Sequence, residues 1–263
     1  MSYKSIRKTL LLVILIALHM SFSQAQTSAK KLSVIFIGNS ITQGAGLPSP
    51  QTQAPPVIAG KSLEKMKGIS TVRVYNVGKS GSTTVDWLPG EGQLFSRAAN
   101  AAAEAKADTS MQLIFSLVLG TNDSAIKGPH GAPVSTEDYL VNLKIITGRL
   151  LDDYPGSKLI IQYPIWYSEN TYNGSMYLAE GLQRLQSYFP QINKLVKRYQ
   201  SAYPHRVYAG NKKVFKYFKL HTSLFQAEKG QQGIFSLHPN EEGAARLGEY
   251  WADGIYKALN NPE

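Results

Sequence analysis

Apolar and polar positions fall into blocks along the chain, and the period changes from block to block. Runs rich in Val, Ile and Leu occur at LSVIFIG (32–38), TVRVYNVG (71–78), MQLIFSLVLG (111–120), SKLIIQYPI (157–165) and HRVYAG (205–210). Between them lie stretches of helical character: PPVIAGKSLEKMKG (55–68), LFSRAANAAAEAKAD (94–108), TEDYLVNLKIITGRLLDDY (136–154), LQSYFPQINKLVKRYQ (185–200) and EEGAARLGEYWADGIYKAL (241–259). In the last of these, Leu247, Trp251, Ile255 and Leu259 recur every four residues, which marks one buried helix face. Strand and helix alternating five times predict a parallel sheet covered on both faces. At 263 residues the chain is long enough for one domain with a sizeable core.

The first apolar run has a different meaning. MSYKSIRKTLLLVILIALHMSFSQAQ opens with Lys4, Arg7 and Lys8, continues apolar from Leu10 to Met20, and ends in the small-x-small exit Ser23-Gln24-Ala25. That order is the pattern of a bacterial secretory signal peptide, residues 1–25, cleaved before Gln26 and leaving a single domain over 26–263. Its apolar core is too short for a membrane span, so the mature chain is expected in the periplasm or outside the cell, without stable membrane insertion. The sequence contains no cysteine, which excludes disulfides and a cysteine-linked lipid anchor.

The formal charge of +10 includes the three leader cations, with no acid there, and leaves +7 on the mature chain. These charges are scattered, with small clusters at Lys30-Lys31 and Lys212-Lys213. Nucleic-acid binding calls for a dense basic stripe interleaved with aromatics, so no nucleic-acid partner is expected.

Ligand sites in open α/β sheets lie beyond the carboxyl ends of the strands. Three polar clusters directly follow strand-like runs: GNSIT (38–42), GKSGSTT (78–84) and GTND (120–123). Singly, each is also an ordinary turn or helix cap. GKS is not a phosphate loop, because Arg73 stands where that pattern requires glycine, and GNSIT departs from the G-x-S-x-G elbow at Thr42. The histidines separate turn from site. His19 lies in the leader, while His130, His205 and His221 lack a suggestive context. His238, in SLHPNEEG, comes just before the last helix, where Asn240 is placed to cap and Glu241 and Glu242 suit the positive helix end.

IGNSIT, NVGKSGSTT, LGTND and LHPNEEG, taken in this order from residue 34 to residue 243, resemble the four blocks of the SGNH (GDSL-type) hydrolases. The resemblance implies a three-layer αβα sandwich, flavodoxin-like, around a parallel sheet of about five strands. It also implies ester hydrolysis through a serine, without metal or organic cofactor. By the same resemblance Ser40 is the nucleophile and His238 the general base. The backbone N–H groups of Ser40 and Gly81 and the side-chain amide of Asn122 form the oxyanion hole. Asn39 replaces the family's usual aspartate and retains local turn hydrogen bonding. The family also commonly places an aspartate three residues before the histidine, where this chain has Phe235. Three arrangements follow: a Ser40–His238 dyad, an acid from elsewhere (Glu241 and Glu242 are near in sequence), or a catalytically inactive binding protein.

The segment YPIWYSENTYNGSMY (163–177) follows a strand end and alternates aromatics with Asn and Ser. Trp166 and Tyr167, joined by Trp87, are expected to stack on sugar rings, although aromatics packing a long loop account for the pattern equally well. The expected substrate is an acylated glycan or small molecule carrying a short acyl ester, acetyl foremost. A lipase or lysophospholipase of the same fold and an inactive glycan-binding relative are the alternatives.

Overall fold

The structure, a computed structural model, describes residues 29–90 and 93–260. The signal peptide expected over 1–25 lies outside the described residues. Among these, no helix is long and apolar enough to cross a membrane.

The strands are β1 (Lys30–Gly38), β2 (Ile69–Asn76), β3 (Gln112–Val118), β4 (Lys158–Ile161), β5 (Val207–Ala209), β6 (Glu228–Gly230) and β7 (Gly233–Phe235). The helices are α1 (Ser40–Gln43), α2 (Pro50–Gln53), α3 (Pro55–Glu64), α4 (Gln93–Lys106), α5 (Thr136–Asp153), α6 (Leu178–Ala202), α7 (Lys213–Leu220) and α8 (Glu241–Asn260). Strands β1–β5 form one sheet in the order β2-β1-β3-β4-β5, every pair parallel. This is the five-stranded doubly wound sheet that the alternation predicts.

β1 is buried on both faces from Leu32 onward because both faces carry helices. Phe36 points toward α8 and stacks on Trp251 at 5.8 Å between ring centroids. Phe115 packs at 5.6 Å against Tyr154, at the end of α5 on the other face. Burying each such ring contributes roughly 1.5–3 kcal/mol. Leu247, Trp251, Ile255 and Leu259 are all buried, as their four-residue spacing predicts.

Two features depart from the sequence pattern. Helix α6 begins at Leu178, seven residues before the expected 185; its first turns bury Gly181 and Leu182, with Gly181 set closely against the Ser124 carbonyl and the Tyr167 hydroxyl. The chain from 213 to 235 holds helix α7 and the antiparallel hairpin β6–β7, neither of which the pattern announces. Strands of three residues are too short to show a period. The hairpin turns at Gln231-Gln232, next to Gly233 at φ +89°, a left-handed backbone favoured by glycine.

Register sets the site. Phe36 of β1 lies opposite Asn76 of β2, and Gly38 lies opposite Val118 of β3. The carboxyl ends of these three strands therefore stand side by side, and the three polar clusters leave from one edge of the sheet.

Candidate active site

At the end of β1 the chain turns at once into the single helical turn α1. Asn39 caps it, its side-chain oxygen accepting the Ile41 N–H at 3.1 Å, so it performs the turn role expected of it. Ser40 occupies the first position of α1, where a helical turn leaves its N–H without an intrahelical acceptor. Glycine is required at 38: an added Cβ would lie 2.0 Å from Thr42 Oγ1 and 2.9 Å from the Val118 carbonyl oxygen.

The loop after β2 is tied to this turn. Lys79 N–H donates to the Gly38 carbonyl at 3.0 Å. The Ser80 N–H and hydroxyl both donate to Gln43 Oε1, at 2.7 and 2.8 Å. Gly81 has φ +80°, and its Cα faces open space. Its N–H therefore sits on a backbone that disfavours other residues, on a surface a substrate can approach.

The loop after β3 completes the group. One N–H of the Asn122 amide donates to the Ser82 carbonyl at 2.8 Å, and Asn122 Oδ1 accepts the Tyr177 hydroxyl at 2.7 Å. A primary amide has two N–H donors, so the second remains for a ligand. Behind it, Asp123 is wholly buried. Its Oδ1 accepts from both the N–H and the hydroxyl of Thr84, whereas Oδ2 has no partner among the described residues. Burial pushes the Asp123 carboxyl up to about 6, against the opposing pull of the Thr84 hydrogen bonds.

The histidine arrives from the far end of the chain. His238 Nε2 lies 2.9 Å from Ser40 Oγ. Its Nδ1 lies 2.9 Å from Glu228 Oε2, and its backbone N–H donates to Glu228 Oε1 at 3.0 Å. A carboxylate only accepts, so Nδ1 carries the proton and Nε2 is left as the acceptor facing the serine. Asn240 caps α8 through the Gly243 N–H at 2.9 Å, as expected.

Glu228 is the residue that sequence reasoning missed. The position that commonly carries the acid holds Phe235, which is buried in β7, and Glu228 stands directly opposite it across the hairpin. Paired residues of antiparallel strands have Cα atoms only about 4.5–5.5 Å apart. A glutamate reaching over from β6 thus serves the same histidine. Glu241 does not: its carboxylate accepts from Gln53 Nε2 at 2.7 Å. The one sequence signal was the Gly-Gln-Gln-Gly turn at 230–233 between short β-prone pieces.

The aromatic residues are placed otherwise than expected. Trp87 is fully buried and its Nε1 donates to Ser82 Oγ at 3.0 Å. Tyr167 is buried with its hydroxyl 2.9 Å from Ser124 Oγ, and Trp166 is buried edge-on to Phe225. None offers an open ring face, because large apolar rings gain more by joining the core. Segment 163–177 instead braces the site. Ser168 N–H donates to the Ser236 carbonyl at 2.9 Å, and Asn170 Nδ2 donates to the carbonyls of Gln232 and Ile234 at 3.1 and 2.8 Å, holding the hairpin. At its other end Tyr177 holds Asn122.

Among the described residues, no group of His, Cys, Asp and Glu is arranged to hold a metal ion. A comparison with curated protein sequences finds no match. Among solved structures, the chain is similar to Est24, a carbohydrate acetylesterase from Sinorhizobium meliloti, at 17% identity and TM-score 0.56, with 86% of this chain and 99% of that one covered. It is similar to a lipase/acylhydrolase from Enterococcus faecalis at 18% identity and TM-score 0.55, covering 88% and 98%. A family two carbohydrate esterase from Clostridium thermocellum, solved with cellohexaose, matches at 15% identity and TM-score 0.54, covering 88% and 65%. At these identities the likenesses establish the fold. The model of the GDSL-like lipase/acylhydrolase family matches residues 36–246, most of the chain, with Ser40, Gly81, Asn122 and His238 all inside it: the protein belongs to that family.

Proposed function

We propose that this protein is a secreted serine esterase that removes short acyl groups, acetyl foremost, from carbohydrate. The observation that carries the reading is the unbroken chain of contacts from Ser40 Oγ through the His238 imidazole to the Glu228 carboxylate. Membership of a hydrolase family with esterase neighbours supports the reaction class. The acetyl and carbohydrate parts draw on what two similar proteins are named for, and secretion on the leader pattern of residues 1–25.

In this reading Ser40 Oγ attacks the ester carbonyl carbon while its proton passes to His238 Nε2. Negative charge gathers on the carbonyl oxygen, which the N–H groups of Ser40 and Gly81 and the free N–H of Asn122 stabilise. The bond to the sugar oxygen breaks, and His238 returns the proton to that oxygen. Water then attacks the acyl-serine, giving a proton to Nε2. Release of the free acid regenerates the Ser40 hydroxyl with that proton. Glu228 holds the ring in the tautomer this needs and balances the imidazolium. Two hydrogen bonds to one residue, from Nδ1–H and from the backbone N–H, keep its carboxylate from turning away.

The test is turnover of p-nitrophenyl acetate and p-nitrophenyl octanoate by the purified protein and by Ser40→Ala. We expect acetate to be hydrolysed at least about tenfold more efficiently than octanoate, since a methylene in a pocket alters discrimination by roughly 10–200-fold. The Ser40→Ala rate should fall to that of buffer. Equal rates for wild type and Ser40→Ala would reject the esterase, and an octanoate preference would transfer it to lipids.

A further inference from the structure

A cleft of about 650 Å3 opens on the outer side of β2. Its wall includes Gln43, three residues (about 4.5 Å along the helix axis) beyond Ser40, and Gly78, three residues before Gly81. It therefore begins beside both the nucleophile turn and the oxyanion loop. Val57, Val74 and Pro50 supply an apolar surface, and Gln51, Asn76 and Arg97 the polar one.

The commitments of these polar groups decide what the cleft can hold. Asn76 is half committed: Nδ2 donates one N–H to the Thr42 carbonyl at 2.8 Å and Oδ1 accepts the Gly78 N–H at 3.1 Å, which leaves it one N–H donor. Gln43 Oε1 is taken by two donors from Ser80, so Gln43 offers the cleft only its N–H groups. Arg97 has no hydrogen bond or ion pair among the described residues, and no acidic side chain among them lines the cleft. The cleft thus presents uncommitted donors, one of them a permanent cation, over an apolar patch. A guanidinium fork matches a planar carboxylate, and an apolar patch matches the C–H face of a sugar ring.

We propose that this cleft is the subsite for the sugar next to the acylated one, and that it selects a carboxylate-bearing (uronic acid) sugar through Arg97, with Gln43 as the second donor. The inference rests on the esterase reading for its setting, and it names the class of carrier that reading leaves open. Because Gln43 also fixes Ser80, an occupied cleft touches the residue that tethers the Gly81 loop.

The test compares an O-acetylated uronic acid oligosaccharide with an O-acetylated xylo-oligosaccharide of equal length. Rates for wild type, Arg97→Ala and Arg97→Lys are each normalised to that variant's own p-nitrophenyl acetate turnover. The wild type should favour the acidic ester by about tenfold in kcat/KM, carried by KM, as one charge-assisted pair allows. Arg97→Ala should bring the ratio near one and Arg97→Lys retain part of it. Raising salt from 0.05 to about 0.5 M should shrink the preference, because the pair is open to solvent. Equal efficiency on both esters, or a preference untouched by Arg97→Ala, would overturn the proposal while p-nitrophenyl acetate turnover leaves the esterase standing. If no ester is hydrolysed, calorimetric binding of the unesterified oligouronate that is lost in Arg97→Ala would keep the subsite and reject the esterase. Absence of such binding would reject the subsite too.

Discussion

Ser40 and Glu228, which meet on the two ring nitrogens of His238, are mounted differently. Ser40, Gly81 and Asn122 stand on loops leaving three adjacent strands of one parallel sheet, whose register aligns their ends before any side chain takes part. Glu228 stands on a three-residue strand outside that sheet, held by its partner strand and by Ser168 and Asn170. The first mounting makes the positions of Ser40, Gly81 and Asn122 a property of the whole core. The second makes Glu228 a property of one small hairpin, in which the position directly across from Phe235 reaches the same histidine.

The largest losses are expected at Ser40 and His238. Ser40→Ala and His238→Ala should each reduce kcat for p-nitrophenyl acetate by at least about ten-thousand-fold with circular dichroism unchanged. A variant keeping most of its turnover would mean that the sheet-edge loops are not the reaction centre. Glu228→Ala comes next: loss of the group orienting the histidine costs up to about ten-thousand-fold. Glu241→Ala should stay within about twofold on the same assay, since its carboxylate faces Gln53. Equal effects from the two glutamates would remove the hairpin from the mechanism.

On the sheet side, Asn122→Ala should lower kcat by about 100- to 1000-fold with a small change in KM, the mark of a donor used in the transition state. Tyr177→Phe removes only the hydrogen bond that orients Asn122, and about tenfold is expected. If Tyr177→Phe equals wild type in stopped-flow acylation, segment 163–177 braces the hairpin alone.

Stability tests the buried carboxyl behind Asn122. Burial raises the Asp123 carboxyl from 3.8 to about 6, so the folded protein holds this proton more tightly than the unfolded chain. Its contribution is complete below pH 4 and is lost as pH climbs through 6, by about 3 kcal/mol in all. Urea unfolding at pH 4, 5, 6 and 7 should show that slope in wild type minus Asp123→Asn. A flat difference would place a compensating charge or solvent at Oδ2.

How far the site was legible follows the same division. The strands and the four blocks could be read from short stretches, because a buried parallel strand is a continuous apolar run and its polar end is a local event. The role of the aromatics could not. Trp87, Trp166 and Tyr167 have the same composition whether they face a ligand or the core, and only the packing of 163–177 under α6 decides. The acid could not be read either, since a cross-strand partner depends on hairpin register, which two three-residue strands do not encode in their hydrophobicity.

The parallel α/β sheet and the order of the four blocks were legible in the sequence, and from the resemblance of those blocks Ser40, Gly81, Asn122 and His238 follow as the candidate site residues. The sheet is legible because each buried strand is a continuous apolar run, and the blocks because each is a short local motif. The tertiary structure alone decided that Glu228 meets His238 and that the aromatic segment is a brace. It alone placed Gln43 and Arg97 in one cleft. Each of these joins residues that are distant in sequence through a register or a packing contact, and such contacts exist only once the core has formed.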